Sequence, residues 1–314
     1  MEKLKQQNSG EDFKILILDG GGSKGVYTLG ILNELESKLG SPLCDHFSLI
    51  YGTSTGSIIA TLLAMGKTVS EIKDLYLTNI PLIMSGGSKR TKSVRLKYVG
   101  DLIFKDATFE NLKTNLGIVA LNYDTQNPLV FKTCINQAHG MQQSFVPGFG
   151  CSISDAVQAS CSAYPIFDFK LLDTINQGKI KAIDGGFIAN NATLFALIDA
   201  DKAFKINHEN IKVISVGTGK FIEKPVKGLF SILRYLKVVK FIERVFISST
   251  NTNVQLTKLI YSHIKTVRLN DTYNEPEYGT NMVEKDLVKL EKLYQLGRSC
   301  YAKFETEINS LIFG

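Results

Sequence analysis

The 314-residue chain reads as an α/β protein, a central and mainly parallel sheet with helices on both faces. Three observations predict this class. Short apolar runs recur along the chain, each suited to a strand buried on both sides. Segments with helical spacing of apolar residues separate those runs. Glycines stand at the junctions, where a strand must turn sharply into a helix. Composition agrees: 44% hydrophobic and 21% charged residues sustain a buried core and exclude disordered, collagen-like and disulfide-scaffold classes.

Taken in order, a polar start precedes Phe13–Leu18 (FKILIL), a buried strand. It runs into Asp19-Gly20-Gly21-Gly22-Ser23-Lys24-Gly25. Val26, Leu29, Ile31, Leu32, Leu35 and Leu39 then recur at near-helical spacing, up to Gly40 as C-cap. Phe47–Tyr51 is a second strand, broken by Gly52, and Thr55–Met65 a helix closed by Gly66. Further strands are expected at Ile118–Asn122, Leu129–Cys134, Ile180–Ile183 and Ile211–Val216. Further helices are expected at Val69–Thr78, Ile153–Ser160 and Thr193–Phe204. A composition shift near Pro225 sets off a more helical, more basic tail. The expected organisation is a polar tail over 1–12, an α/β domain over 13–222, and a helical region over 223–314 packed on the same domain.

The net charge of +6 is unevenly placed. Lys89, Arg90, Lys92, Arg95 and Lys97 cluster beside Ser85-Gly86-Gly87-Ser88, and a second basic group runs from Lys224 to Arg244. Such clusters either form a solvated face with a flexible loop or attract an anionic partner such as a lipid headgroup or nucleotide. No nucleic-acid fold motif accompanies them, so duplex binding is not expected. In Leu229–Ile247, Arg234, Lys237, Lys240 and Arg244 fall on one face of a helical wheel. That helix either covers the core, the favoured reading, or lies on an anionic membrane.

Cys44, Cys134, Cys151, Cys161 and Cys300 are odd in number and form no CxxC pair or Cys/His cluster. Reduced thiols and no metal site are therefore expected. The longest uncharged apolar run, Ile58–Met65, falls short of the roughly 20 residues of a membrane span. The start MEKLKQQNSGEDFK carries no apolar signal region. A cytoplasmic protein is the expectation.

Chemistry concentrates at Gly52-Thr53-Ser54-Thr55-Gly56, a G-x-S-x-G sequence between an expected strand and an expected helix. That setting suits a nucleophile elbow, whose strained turn lifts a serine hydroxyl out of the sheet. The competing reading is a Gly/Ser turn that caps a helix. Gly20–Gly25, at a helix mouth, offers backbone N–H groups without intrahelical partners, the donors an oxyanion needs. Such a loop also serves dinucleotides, but those want an acidic residue about twenty positions on, at a strand end. Leu39 and Gly40 occupy that distance. Of the histidines, His46, His139, His208 and His263, the last two fit the serine-acid-histidine order of α/β-hydrolases, but His208 in a polar stretch and His263 in the tail lack a strained or Gly-rich setting. Asp184-Gly185-Gly186 follows a strand, and a partly desolvated carboxylate there can act as general base for a serine. Its competing reading is a plain turn aspartate.

Five ordered motifs over residues 13–220 resemble the patatin-like phospholipases. DGGGSKG at Asp19–Gly25 is similar to the family's DGGGxRG loop, with Lys24 where arginine is usual. Gly52–Gly56 matches its serine elbow, and Ala159–Pro165 its ATSAAP segment with one residue inserted. Asp184–Asn191 matches DGGxxANNP, with Ala192 in place of the proline, and Ser215–Gly219 matches SLGTG. The resemblance implies a patatin-like three-layer α/β/α fold with a helical C-terminal extension. It implies Ser54 as nucleophile, Asp184 as general base, and Gly20, Gly21 and Gly22 as the oxyanion hole. Lys24, Gly25, Gly52, Gly56, Gly185 and Gly186 support them. The implied activity is acyl hydrolysis of membrane phospholipids without metal or cofactor, at the inner membrane surface. Compact intracellular relatives include housekeeping lipases and bacterial antiphage effectors switched on by cyclic dinucleotides. An anionic regulator or anionic lipid at Lys89–Lys97 or the tail fits the second group.

Two rival classes remain. DGGGSK and Gly217-Thr218-Gly219 also resemble the phosphate loops of actin-like sugar kinases, although that loop sits in a β-hairpin and Val26–Leu39 has helical spacing. A non-enzymatic lipid- or nucleotide-binding module would not need nucleophile, base and oxyanion donors together.

Overall fold

Strand β1 (Phe13–Leu18) is buried along both faces: Ile15 and Ile17 enter one hydrophobic layer, Leu16 and Leu18 the other. This is why its sequence after Lys14 is continuously apolar instead of alternating. The structure, a computed structural model, describes residues 12–105, 107–222 and 234–314. Most of the expected polar tail, the composition shift at Pro225, Lys224, Lys227 and the start of Leu229–Ile247 lie outside the described residues.

From β1 the chain enters α1 (Gly25–Leu39), which ends at Gly40 in the left-handed conformation, and returns through β2 (Leu49–Thr53) and α2 (Thr55–Ala64). α3 (Val69–Met84) starts at Thr68, whose hydroxyl accepts the Glu71 N–H while the Glu71 carboxylate accepts the Thr68 N–H. α4 (Lys89–Phe104) leads to the antiparallel pair β3 (Asn115–Asn122) and β4 (Pro128–Lys132), then to α5 (Ile153–Ser160). β5 (Lys170–Thr174) and β6 (Gly178–Asp184) precede short helices α6 (Gly186–Ala189) and α7 (Thr193–Ile198). β7 (Ile211–Val216) and β8 (Lys220–Phe221) follow. The C-terminal part holds α8 (Arg234–Ile260), β9 (Lys265–Leu269), β10 (Thr272–Tyr273) and α9 (Leu287–Phe313).

The sheet runs β5-β6-β3-β2-β1-β7-β9, with β4 also on β3 and a small β10-β8 ladder apart. β3, β2, β1, β7 and β9 are mutually parallel, while β6 joins β3 antiparallel. Among the described residues no helix is long and apolar enough to cross a membrane.

Four expectations need correction. The basic stretch Lys89–Lys97 is not a loop but the first half of α4, with Arg90 and Lys97 exposed, Lys92 buried, and the helix anchored by buried Leu96, Val99 and Phe104. α3 continues to Met84, six residues beyond the expected Thr78 and through Pro81. β2 is shifted to Leu49–Thr53, because pairing with β3 persists to Thr53↔Val119. The tail is not wholly helical: β9 pairs with β7, and His263 lies in the turn between α8 and β9. Of the tail's first helix, Val239, Ile242 and Phe246 are buried, so its described part covers the core. α9 packs across α1 closely enough that a Cβ on Gly297 would stand 2.1 Å from the Tyr27 carbonyl.

Candidate active site

β3 is the common neighbour that assembles this site. Its Val119 pairs with Thr53 at the end of β2, and its Ala120 pairs with Asp184 at the end of β6. Ser54 follows Thr53 with φ 53° and ψ −126°, a conformation costly for a side chain. Its neighbours over-determine it. The Ser54 N–H donates to Ser160 Oγ at 2.8 Å, and Ser160 Oγ donates to the Val119 carbonyl at 2.6 Å. Ser57 donates to the Ser54 carbonyl from both its N–H (2.8 Å) and its Oγ (2.6 Å). The flanking glycines are required by close approach: a Cβ on Gly52 would meet the Gly56 carbonyl at 2.3 Å, and one on Gly56 the Leu18 carbonyl at 2.1 Å.

Ser54 Oγ donates to Asp184 Oδ2 at 2.7 Å. The other carboxylate oxygen accepts the Gly186 N–H at 2.7 Å, while Gly185 packs against Val119. Asp184 is wholly buried. Burial pushes its carboxyl up to about 7, against the opposing pull of the Ser54 and Gly186 hydrogen bonds. That suits proton exchange with a hydroxyl near neutrality. Beside the pair, buried Cys161 has its thiol pushed far up by desolvation, so it does not compete as a thiolate.

In the glycine loop, the Gly20 N–H is already donated to the Asn190 carbonyl at 3.2 Å. Gly21 and Gly22 have N–H groups with no acceptor among the described residues, which leaves them as the candidate oxyanion donors. The Gly22 carbonyl accepts the Tyr76 hydroxyl at 2.5 Å. Lys24 pairs with α8: its Nζ stands 3.5 Å from Glu243. Gly25 opens α1 against Thr55 and Tyr76.

The sequence motifs meet in one buried network. Asn191 donates to Asp19 Oδ1 (2.7 Å) and to Ser215 Oγ (2.9 Å). Arg268 of β9 grips both Asp19 oxygens, at 2.9 and 2.5 Å, and also reaches Ser215 Oγ at 2.9 Å. Sequence reasoning missed Arg268, because it lies in the tail outside every motif; the apolar-basic alternation of Lys265–Leu269 was the available signal.

The remaining candidates lie elsewhere. His46 contacts Ser41, His139 binds Asp199 in a buried cluster with Tyr51 and Lys132, and His208 contacts His263 and Asp201. In the first basic cluster, Lys89 pairs with Asp168, Lys97 with Asp101, and Arg95 donates to the Ser85 and Gly86 carbonyls beyond the end of α3. Beside Ser54 runs an apolar slot walled by Ile80, Ile83, Leu96, Phe167 and Met282, with a volume of about 30 Å³. A water molecule occupies about that much.

A family model described as patatin-like phospholipase matches residues 16–197. The chain is 42% identical over 299 residues to a cUMP-AMP-activated phospholipase of Escherichia coli, covering 95% of this chain and 93% of that one. It is 26% identical to a cGAMP-activated phospholipase of Vibrio cholerae, over 82% of this chain and 77% of the relative. It is 29% identical to patatin-like protein 2 of Arabidopsis thaliana, over 72% and 66% respectively.

Proposed function

The chain belongs to the patatin-like phospholipase family, and from that premise we propose that it cleaves fatty-acyl esters of membrane phospholipids through a Ser54–Asp184 dyad. Ser54 Oγ attacks the ester carbonyl while Asp184 takes its proton. The N–H groups of Gly21 and Gly22 receive the oxyanion. The lysophospholipid alkoxide leaves with the proton from Asp184. Water, deprotonated by the same carboxylate, then attacks the acyl-enzyme and releases the fatty acid. The observation that carries this reading is the 2.7 Å bond between Ser54 Oγ and a carboxylate with no exposed surface.

The enzyme is switched on by a cyclic dinucleotide and then works peripherally at the inner membrane surface, in antiviral defence. Relatives named as cUMP-AMP- and cGAMP-activated support this, one of them along almost the whole chain. The narrow slot beside Ser54 is consistent with a resting state, since it must widen before a fatty chain can enter.

The test is hydrolysis of phosphatidylglycerol and phosphatidylethanolamine vesicles with and without cUMP-AMP and cGAMP. Ser54→Ala and Asp184→Ala should each be near-null, and the double variant hardly worse than either, because the two residues act as one unit. Losses that multiply would refute the dyad. Full activity as purified, indifferent to both dinucleotides, would refute the activation.

A further inference from the structure

The strand order reverses direction at β1: β2 and β3 lie on one side of it, β7 and β9 on the other. In open α/β sheets ligands favour the crevice at the carboxyl ends of the strands where the order reverses. Here that crevice holds a cavity of about 300 Å³. This is the lower end of the range for ligand sites. Ser54 does not line it. The glycine loop forms a partition, with Gly20 and Gly21 facing this cavity and Gly22 facing the apolar slot at Ser54.

The chemistry of the walls is cationic and amide-rich. Lys220 comes from β8, Lys240 and Arg244 from α8, and Asn251 and Asn270 add carboxamides. The two carboxylates in the wall are offset, Asp19 by Arg268 and Glu243 by Lys24. Neither Lys220 nor Arg244 forms a salt bridge to a carboxylate among the described residues. Asn190, another lining residue, carries a buried Oδ1 with no hydrogen-bond partner. Lysine and arginine donors suit phosphodiester oxygens, and carboxamides suit the mixed donors and acceptors of a base edge.

Resting on the activation reading above, we propose that this crevice is the regulatory site, taking a phosphodiester ligand of the cyclic-dinucleotide class, and that α8 carries its occupancy to Ser54. The link is short. Glu243, adjacent to Arg244 on α8, accepts the Met282 N–H at 2.9 Å and pairs with Lys24. The Met282 carbonyl accepts the Ser23 N–H at 2.9 Å and lies against Gly22, where a Cβ would come within 2.1 Å of it. Met282 and Val283 line the slot beside the nucleophile. A ligand that draws Lys240 and Arg244 toward its phosphates shifts Glu243 and loosens the segment that narrows the slot.

The test titrates cUMP-AMP, cGAMP and dihexanoyl phosphatidylglycerol calorimetrically into the wild-type chain, Lys220→Glu/Arg244→Glu and the milder Arg244→Gln. Melting temperatures without ligand check that the variants fold. The charge reversal should weaken dinucleotide binding by about tenfold to a hundredfold, as expected for lost charge-assisted hydrogen bonds. It should also abolish dinucleotide-stimulated vesicle hydrolysis, with Arg244→Gln intermediate. Folded variants that bind the dinucleotide as the wild type does would overturn the site while leaving activation standing. A wild type that binds neither dinucleotide would overturn both readings. Loss of phosphatidylglycerol binding with dinucleotide binding intact would make the crevice a headgroup subsite and overturn the proposal.

Discussion

Asp184 accepts the Ser54 hydroxyl at 2.7 Å from a position with no exposed surface, so the proposed dyad makes one buried group responsible for both reactivity and part of the pH response. Its carboxyl is held up to about 7 by desolvation, and only the ionised form can take the serine proton. kcat/KM on a soluble short-chain ester should therefore rise about tenfold per pH unit below neutrality and level off above it. A pH profile that is flat from about pH 5 to about pH 8 would remove Asp184 as the base.

The same shift has a stability consequence of defined sign. The folded carboxyl titrates at about 7 against the ordinary 3.8, so the folded state gains from its protonated form and loses that gain as pH rises through about 7. Asp184→Asn keeps the shape and removes the charge. Its stability should match the wild type near about pH 4, pull ahead as pH rises, and exceed it by about 2–4 kcal/mol above neutrality. Urea unfolding of both chains across that pH range checks this; a gap that does not vary with pH would contradict it.

Met282 fills part of the apolar slot beside Ser54. Met282→Ala removes buried side chain and should cost about 2–5 kcal/mol of stability. It should nonetheless raise ester hydrolysis measured without an activator. A destabilised variant that is also slower would show that Met282 only fills space.

Arg268 is the cation that compensates buried Asp19. Arg268→Met strands that carboxylate and should cost about 3–5 kcal/mol by urea unfolding. Adding Asp19→Asn should recover part of the loss, because the stranded charge is gone. No recovery would point to lost packing.

Some of this was legible because its cause is local. The strands Phe13–Leu18 and Ile211–Val216 have the expected bounds, since strands buried on both faces read as predominantly apolar runs, here interrupted only by Lys14, Lys212 and Ser215. α4 was not legible as a helix, because its exposed face is strongly basic and its buried positions, Leu96, Val99 and Phe104, are sparse. β9 was hidden for a related reason: an edge strand with Lys265 and Arg268 carries a weak apolar signal, and only pairing with β7 fixes it as sheet.

By itself, then, the sequence determined the elbow and its partners in kind. Gly52 and Gly56 have no room for a side chain, the helix mouth after Asp19 supplies N–H groups, and an aspartate followed by two glycines lets a carboxylate turn inward. Those requirements act over a few residues and leave a local pattern. Tertiary structure alone decided that Arg268, 249 residues from Asp19, holds the glycine loop, that Gly20 is already engaged by Asn190, and that Met282 narrows the approach to Ser54. Such pairings depend on which elements the sheet order brings together, and no spacing in the chain encodes that.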